Sequence, residues 1–180
     1  MKNLLFVIAM MIIVTNSFGQ IKSASLTASG LTCSMCSKSI FKALEKVPSI
    51  ESVDVNIDES VFNIKFKNGA NVQPDDIKKA VVDAGFAIAS LKMTAEFPET
   101  KIGTDTHIKF ANSNYHFLNV PAQTINGEKT FTVVDKNFVS PAEFKKLKKS
   151  TKMKCYETGK AESCCATDIA PGTRIYHITL

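Results

Sequence analysis

Residues 22–93 carry a fixed order of hydrophobic patterns, and that order limits the folds open to the chain. Ala24, Leu26 and Ala28 alternate with Ser25, Thr27 and Ser29, the period of a half-buried strand. From about Ser34 to Val47, the residues Cys36, Ile40, Ala43, Leu44 and Val47 fall at helical spacing, and Pro48 ends the helix. Val53, Val55 and Ile57 alternate with polar residues, and so do Phe62, Ile64 and Phe66. Asp58-Glu59-Ser60 supplies the tight turn of a hairpin between them, and Asn68-Gly69 turns the chain after it. Pro74 suits the first turn of a second helix, with Asp75 and Asp76 at its positive end. Ile77, Ala80, Val81 and Ala84 form its apolar stripe, and Gly85 stops it. Phe86 to Met93 reads as a fourth strand.

The order βαββαβ is that of a ferredoxin-like split βαβ unit, with both helices on one face of a four-stranded sheet. Periodicity lapses from Thr94 to Lys101 around Pro98, so residues 94–101 read as a linker. Residues 102–180 read differently. Thr106–Phe110, Tyr115–Val120, Thr130–Val134 and Arg174–Leu180 are strand-like. Asn112-Ser113-Asn114 and Asn126-Gly127 are turn signals. Ser140-Pro141-Ala142-Glu143 is a capping box before a short lysine-rich helix reaching about Lys149, with Phe144 and Leu147 as its apolar contacts. The fold class is therefore α+β. A ferredoxin-like domain is followed by a small β-rich barrel or sandwich with one helix.

The first nineteen residues read as a signal peptide. Lys2 is positive, Leu4 to Val14 is unbroken apolar sequence, and Ser17 and Gly19 sit at the −3 and −1 positions of a cleavage site before Gln20. The apolar run is shorter than the roughly 20 residues of a membrane span. The expected protein is exported, periplasmic or secreted, with no stable membrane insertion after cleavage. With 44% hydrophobic and 22% charged residues it is globular. A net charge of +5 does not indicate nucleic-acid binding.

Export bears on the five cysteines, because thiols in an oxidising compartment tend to pair and an odd number leaves one over. Cys33 and Cys36 stand in Gly30-Leu31-Thr32-Cys33-Ser34-Met35-Cys36, between a strand and a helix. A cysteine at a helix N-terminus has its thiolate favoured by unpaired backbone N–H groups and the dipole. Two intervening residues let both sulfurs meet at one point. Two soft thiolates suit Cu(I) better than Mg²⁺ or Ca²⁺. A closed Zn²⁺ site needs two more ligands, and none is local. A local disulfide and thiol–disulfide exchange are the competing readings of this spacing.

This loop resembles that of the heavy-metal-associated domain family, whose members include copper chaperones, the N-terminal repeats of metal-transporting ATPases and a periplasmic mercury-binding protein. The resemblance covers residues 22–93. Leu31 stands where the family usually has methionine, and Ala84-Gly85-Phe86 matches a second family feature at the last strand. The resemblance implies Cys33 and Cys36 as ligands for Cu(I), with Ag(I), Hg(II) or Zn(II) as alternatives. It implies transfer by thiolate exchange to a partner such as a metal-transporting ATPase or another acceptor. It places Phe86 beside the loop as a shield, with Thr32 and Met35 shaping the site. Lys38 and Lys42, one helical turn apart, either form a solvated helix face or serve to offset the thiolates or meet an acidic partner.

Cys155 and the adjacent pair Cys164-Cys165 fit either a loop disulfide or a second soft-metal site of three thiolates. His107, His116 and His177 fall in strand-like runs and read as surface or core residues before ligands. Lys145, Lys146, Lys148, Lys149, Lys152 and Lys154 lack interleaved aromatics and read as a solvated face, not a nucleic-acid site. The expected function is an exported carrier, scavenger or sensor of a soft metal, not an enzyme. A redox protein, or an interaction module carrying a metal-binding first domain, is the alternative.

Overall fold

A single eight-stranded sheet runs through both halves of the chain, in the order β2-β3-β1-β4-β7-β8-β6-β5. The structure is a computed structural model describing residues 19–31, 34–163, 165 and 168–180. The expected signal peptide, apart from Gly19, lies outside these residues. The first half consists of β1 (Gln20–Ser29), α1 (Ser34–Leu44), β2 (Ile50–Asn56), β3 (Val61–Phe66), α2 (Pro74–Asp83) and the start of β4 (Ala87–Ile102). The second half adds β5 (His107–Phe110), β6 (Ser113–Phe117), β7 (Gln123–Val133), α3 (Pro141–Leu147), a 3-10 turn at Lys148–Ser150, α4 (Cys155–Thr158) and β8 (Ile175–Thr179). All strand pairs are antiparallel except β6 with β8.

The βαββαβ unit forms as the periodicity requires, with β1 between β3 and β4. Its inward residues Ala24, Leu26, Phe62, Ile64, Leu91 and Met93 are buried with Ile40 and Leu44 of α1 and Ile77 and Val81 of α2. The first helix stops at Leu44, before Val47. Lys46 and Val47 donate instead to Ala43 and Leu44, three residues back, which tightens the chain ahead of Pro48. Ile57 falls just beyond β2 and is exposed.

The expected division at residues 94–101 is corrected by the structure. These residues continue β4, and Leu91, Met93, Ala95 and Phe97 keep burying one face. Pro98 does not end the strand. It sits in a register shift between Phe97 and Thr100, where the missing N–H costs no ladder bond. Asn126-Gly127, expected as a turn, lies inside β7, with Gly127 opposite Phe97 at φ +73°. The two punctuation signals thus face each other across one bulge. The C-terminal strands close neither a barrel nor a sandwich; they extend the first sheet. Phe97 stacks on Phe110 of β5 at 4.3 Å and meets Phe131 of β7 edge-on at 6.0 Å, making one core across both halves.

The opposite face of the second half is covered by the described residues between 134 and 174. Leu118, Val134 and Tyr156 form one small buried cluster there, and Cys155, Ala161 and Ile175 another. The capping box forms as expected, with Ser140 Oγ accepting from Glu143 N at 3.2 Å. Every residue of β8 from Ile175 to Ile178 is buried, because both of its faces are covered.

Arg174 ties this layer to α2. Its Nε donates to Asp75 Oδ2 at 2.8 Å and its Nη2 to Asp135 Oδ2 at 3.0 Å. Burial works to raise the Asp75 carboxyl, but hydrogen bonds from Arg174 and Lys78 outweigh it and hold the group below its ordinary 3.8. A carboxyl depressed in the fold contributes stability above 3.8 and loses it as pH falls through the lower folded value. Denaturant unfolding of wild type and Asp75→Asn should show a stability gap that is steady near neutrality and narrows below 3.8. A gap independent of pH would refute this role for Asp75. Gly127→Ala should cost about 1–2 kcal/mol in the same assay, because φ is positive there. Gly127→Asn should cost less, since asparagine tolerates that region.

Candidate metal centre

The cysteine loop joins the end of β1 to α1. Gly30 turns the chain at φ +82°, and Leu31 packs, partly buried, against the main core. Leucine thus fills the inward position that the family gives to methionine. Cys36 is the third residue of α1, in the first turn, and is half-buried. No acidic residue lies in that turn, where the helix end favours a thiolate. Thr32 and Cys33 lie outside the described residues. Met35 is 74% exposed, and Lys38 and Lys42 are exposed on the same helix.

Phe86 reaches this end of the sheet through the C-terminus of α2. Gly85, at φ +89°, donates to Val82 O at 2.9 Å, and Phe86 N donates to Val81 O at 3.1 Å, a Schellman pair. Ser29 pairs with Ala87 across β1 and β4, so Phe86 falls in register beside Gly30. It is partly buried against the main core.

The three C-terminal cysteines take different places. Cys164 lies outside the described residues. Cys165 is half-buried, and its Sγ accepts from Glu162 N at 3.4 Å. Cys155 opens α4 and is wholly buried. Its Sγ lies 3.5 Å from His177 Nε2, 3.6 Å from His116 Nδ1 and 4.0 Å from His107 Nε2. The strand registers create this grouping. His107 pairs with His116 across β5 and β6, and His116 pairs with His177 across β6 and β8. Directly paired residues share a face, so the three imidazoles form one row across three strands. The rings of His107 and His116 stack at 4.2 Å, and those of His116 and His177 meet edge-on at 5.0 Å.

Carboxylates hold the outer side of two of these rings. His177 Nδ1 is 2.6 Å from Asp135 Oδ1, and His116 Nε2 is 3.0 Å from Asp105 Oδ1. Thr151 Oγ1 donates to the same Asp105 oxygen at 2.8 Å. Burial, then the neighbouring imidazoles His177 and His107, hold His116 well below the ordinary histidine range, and Asp105 offsets only part of this. His107 is lowered by burial and then by His177.

The sequence separates these residues by up to 70 positions, and their individual settings look like ordinary strand positions. One trace was present, the repeated dipeptides Tyr115-His116 and Tyr176-His177. Their register makes both tyrosines face the main core and both histidines the other side.

The heavy-metal-associated domain model matches residues 25–87. The mercuric transport protein periplasmic component of Pseudomonas fluorescens is 30% identical over 86 residues, spanning 93% of that protein and 48% of this chain. The protein of the same description from Salmonella typhi is 31% identical over 93 residues, 99% of its length and 51% of this chain. Among solved structures, oxidized MerP from Ralstonia metallidurans CH34 is 28% identical, with 96% of it and 39% of this chain covered and a TM-score of 0.36. Through residues 25–87, the chain belongs to the heavy-metal-associated domain family.

Proposed function

We propose that the protein binds a soft metal ion through Cys33 and Cys36, Cu(I) by preference, and passes it to an acceptor protein by thiolate exchange. The observation that carries this reading is Cys36 in the first turn of α1, three positions after Cys33, within the matched family region. That position favours thiolates without fixing a third or fourth ligand. Low-coordinate Cu(I) accepts such a pair, whereas Zn²⁺ needs two further donors. In transfer, an incoming thiolate of the acceptor bonds to the metal as one cysteine leaves it. Exposed Lys38 and Lys42 offer an acidic acceptor a positive face on the same helix.

Hg(II) is the second reading, because the matched relatives carry mercuric transport in their descriptions. Two thiolates suit both ions. The reading places the protein outside the cytoplasm, supported by the leader-like first nineteen residues and the periplasmic description of those relatives. No described helix is long and apolar enough to cross a membrane. The role is carriage or sequestration, not catalysis.

Titration of the reduced protein with Cu(I) against a competing chelator tests the assignment, with Hg(II) in parallel. Cys33→Ser/Cys36→Ser should weaken binding by at least about 100-fold, equivalent to about 2.7 kcal/mol. Binding that survives the double substitution would overturn it. A stronger preference for Hg(II) over Cu(I) than free thiolates show would select the mercury reading.

A further inference from the structure

We propose that His107, His116, Cys155 and His177 form a second, closed metal site for a borderline divalent transition-metal ion, with Zn²⁺ the best fit. Tetrahedral Zn²⁺ with bonds of about 2.3 Å to sulfur and about 2.05 Å to nitrogen sets sulfur and nitrogen about 3.6 Å apart. The observed separations from Cys155 Sγ are 3.5, 3.6 and 4.0 Å. The donor atoms of His107, His116 and Cys155 lie within 4.8 Å of one another.

The direction of the imidazole protons agrees. With His177 donating its Nδ1–H to Asp135 and His116 its Nε2–H to Asp105, both rings turn a lone pair towards Cys155. One thiol hydrogen can serve only one such lone pair at a time. A cation serves all of them. Carboxylates behind metal-bound imidazoles are the usual outer partners of a zinc site. Binding converts the Cys155 thiol to a thiolate and releases its proton to solvent.

Cys155, His177 and Asp135 also have the connectivity of a nucleophile, base and orienting acid. Cys155 and His177 are 0% exposed and Asp135 3%, so the sulfur has no face open to a substrate. The third imidazole within reach of the sulfur has no place in a triad but offers a metal ion a further ligand atom. His107, half-buried on the edge strand β5, is the ligand nearest solvent and the natural point of entry.

The site is independent of the cysteine loop, and its test removes the loop first. Full-length Cys33→Ser/Cys36→Ser protein, reduced and metal-free, is titrated with Co(II) and then competed with Zn²⁺. One equivalent of Co(II) should give the intense visible bands of a tetrahedral ion and a thiolate-to-cobalt absorption, both removed by Zn²⁺. Adding Cys155→Ser should abolish the thiolate absorption, and His107→Ala should weaken binding at least about tenfold. Asp105→Asn should weaken it about 10–100-fold. Asparagine tolerates the φ of +61° at that exposed position, so the fold is retained and circular dichroism of the apo form checks it. Adding Cys164→Ser/Cys165→Ser should leave the spectrum unchanged. Failure to bind Co(II), an unchanged spectrum in Cys155→Ser, or its loss with Cys164 and Cys165 would overturn the assignment.

Discussion

Both halves of the molecule depend on the continuous strand β4. Its residues from Ala87 to Glu96 pair with β1 on one side, and those from Lys92 to Ile102, across the bulge at Pro98, pair with β7 on the other. In a βαββαβ unit this strand lies at the sheet edge, where unpaired N–H and C=O groups invite another strand. Here the chain supplies that strand itself. Once β7 is in place, β8, β6 and β5 follow in order, and the aromatic core of Phe97, Phe110, Tyr115 and Phe131 closes over the junction. The second half therefore builds outward from the edge of the first.

The parts legible in the sequence are those whose signals are local and agree with one another. Strand alternation in β1 and β3, helix stripes, Pro74 at a helix start and Gly85 at a helix end appear where expected. The errors fall where one local signal has two structural meanings. Pro98 is compatible with a linker or with a bulge in a strand, and Asn126-Gly127 with a hairpin turn or with a left-handed residue inside one. The choice is made across the sheet, because Phe97 and Gly127 meet only after β4 and β7 have paired. No window of sequence around either residue contains that information.

The histidine row was hidden for a related reason. Each of His107, His116 and His177 was correctly expected on a strand, and two of them are fully buried. Their chemistry depends on register. A shift of one residue in β6 would turn His116 into the main core and bring Tyr115 to face Cys155. The paired dipeptides Tyr115-His116 and Tyr176-His177 carry the register, since bulky aromatics must fill one face while the histidines occupy the other. Cys155 likewise gained meaning from position. The sequence grouped it with its neighbours Cys164 and Cys165, whereas the fold places it against imidazoles contributed from up to 48 residues away.

This difference between local and assembled donors has an energetic consequence. Cys33 and Cys36 are three positions apart in the sequence, so the ion proposed for them would meet both thiolates before and after folding. Such an ion stabilises the fold only by its preference for the helix-end geometry, because affinity for the unfolded chain cancels the rest. The imidazoles and Cys155 come together only when β5, β6, β8 and α4 have assembled. An ion held by them favours the native state almost exclusively, contributing about 2.7 kcal/mol when its free concentration is about 100 times the dissociation constant. A labile site must release its ion, and a pair of donors local in the sequence suits release. A site distributed over three strands and buried beneath α4 suits retention. On the two proposed assignments, the same fold would hold one set of donors suited to exchange and another suited to securing the strands that carry it.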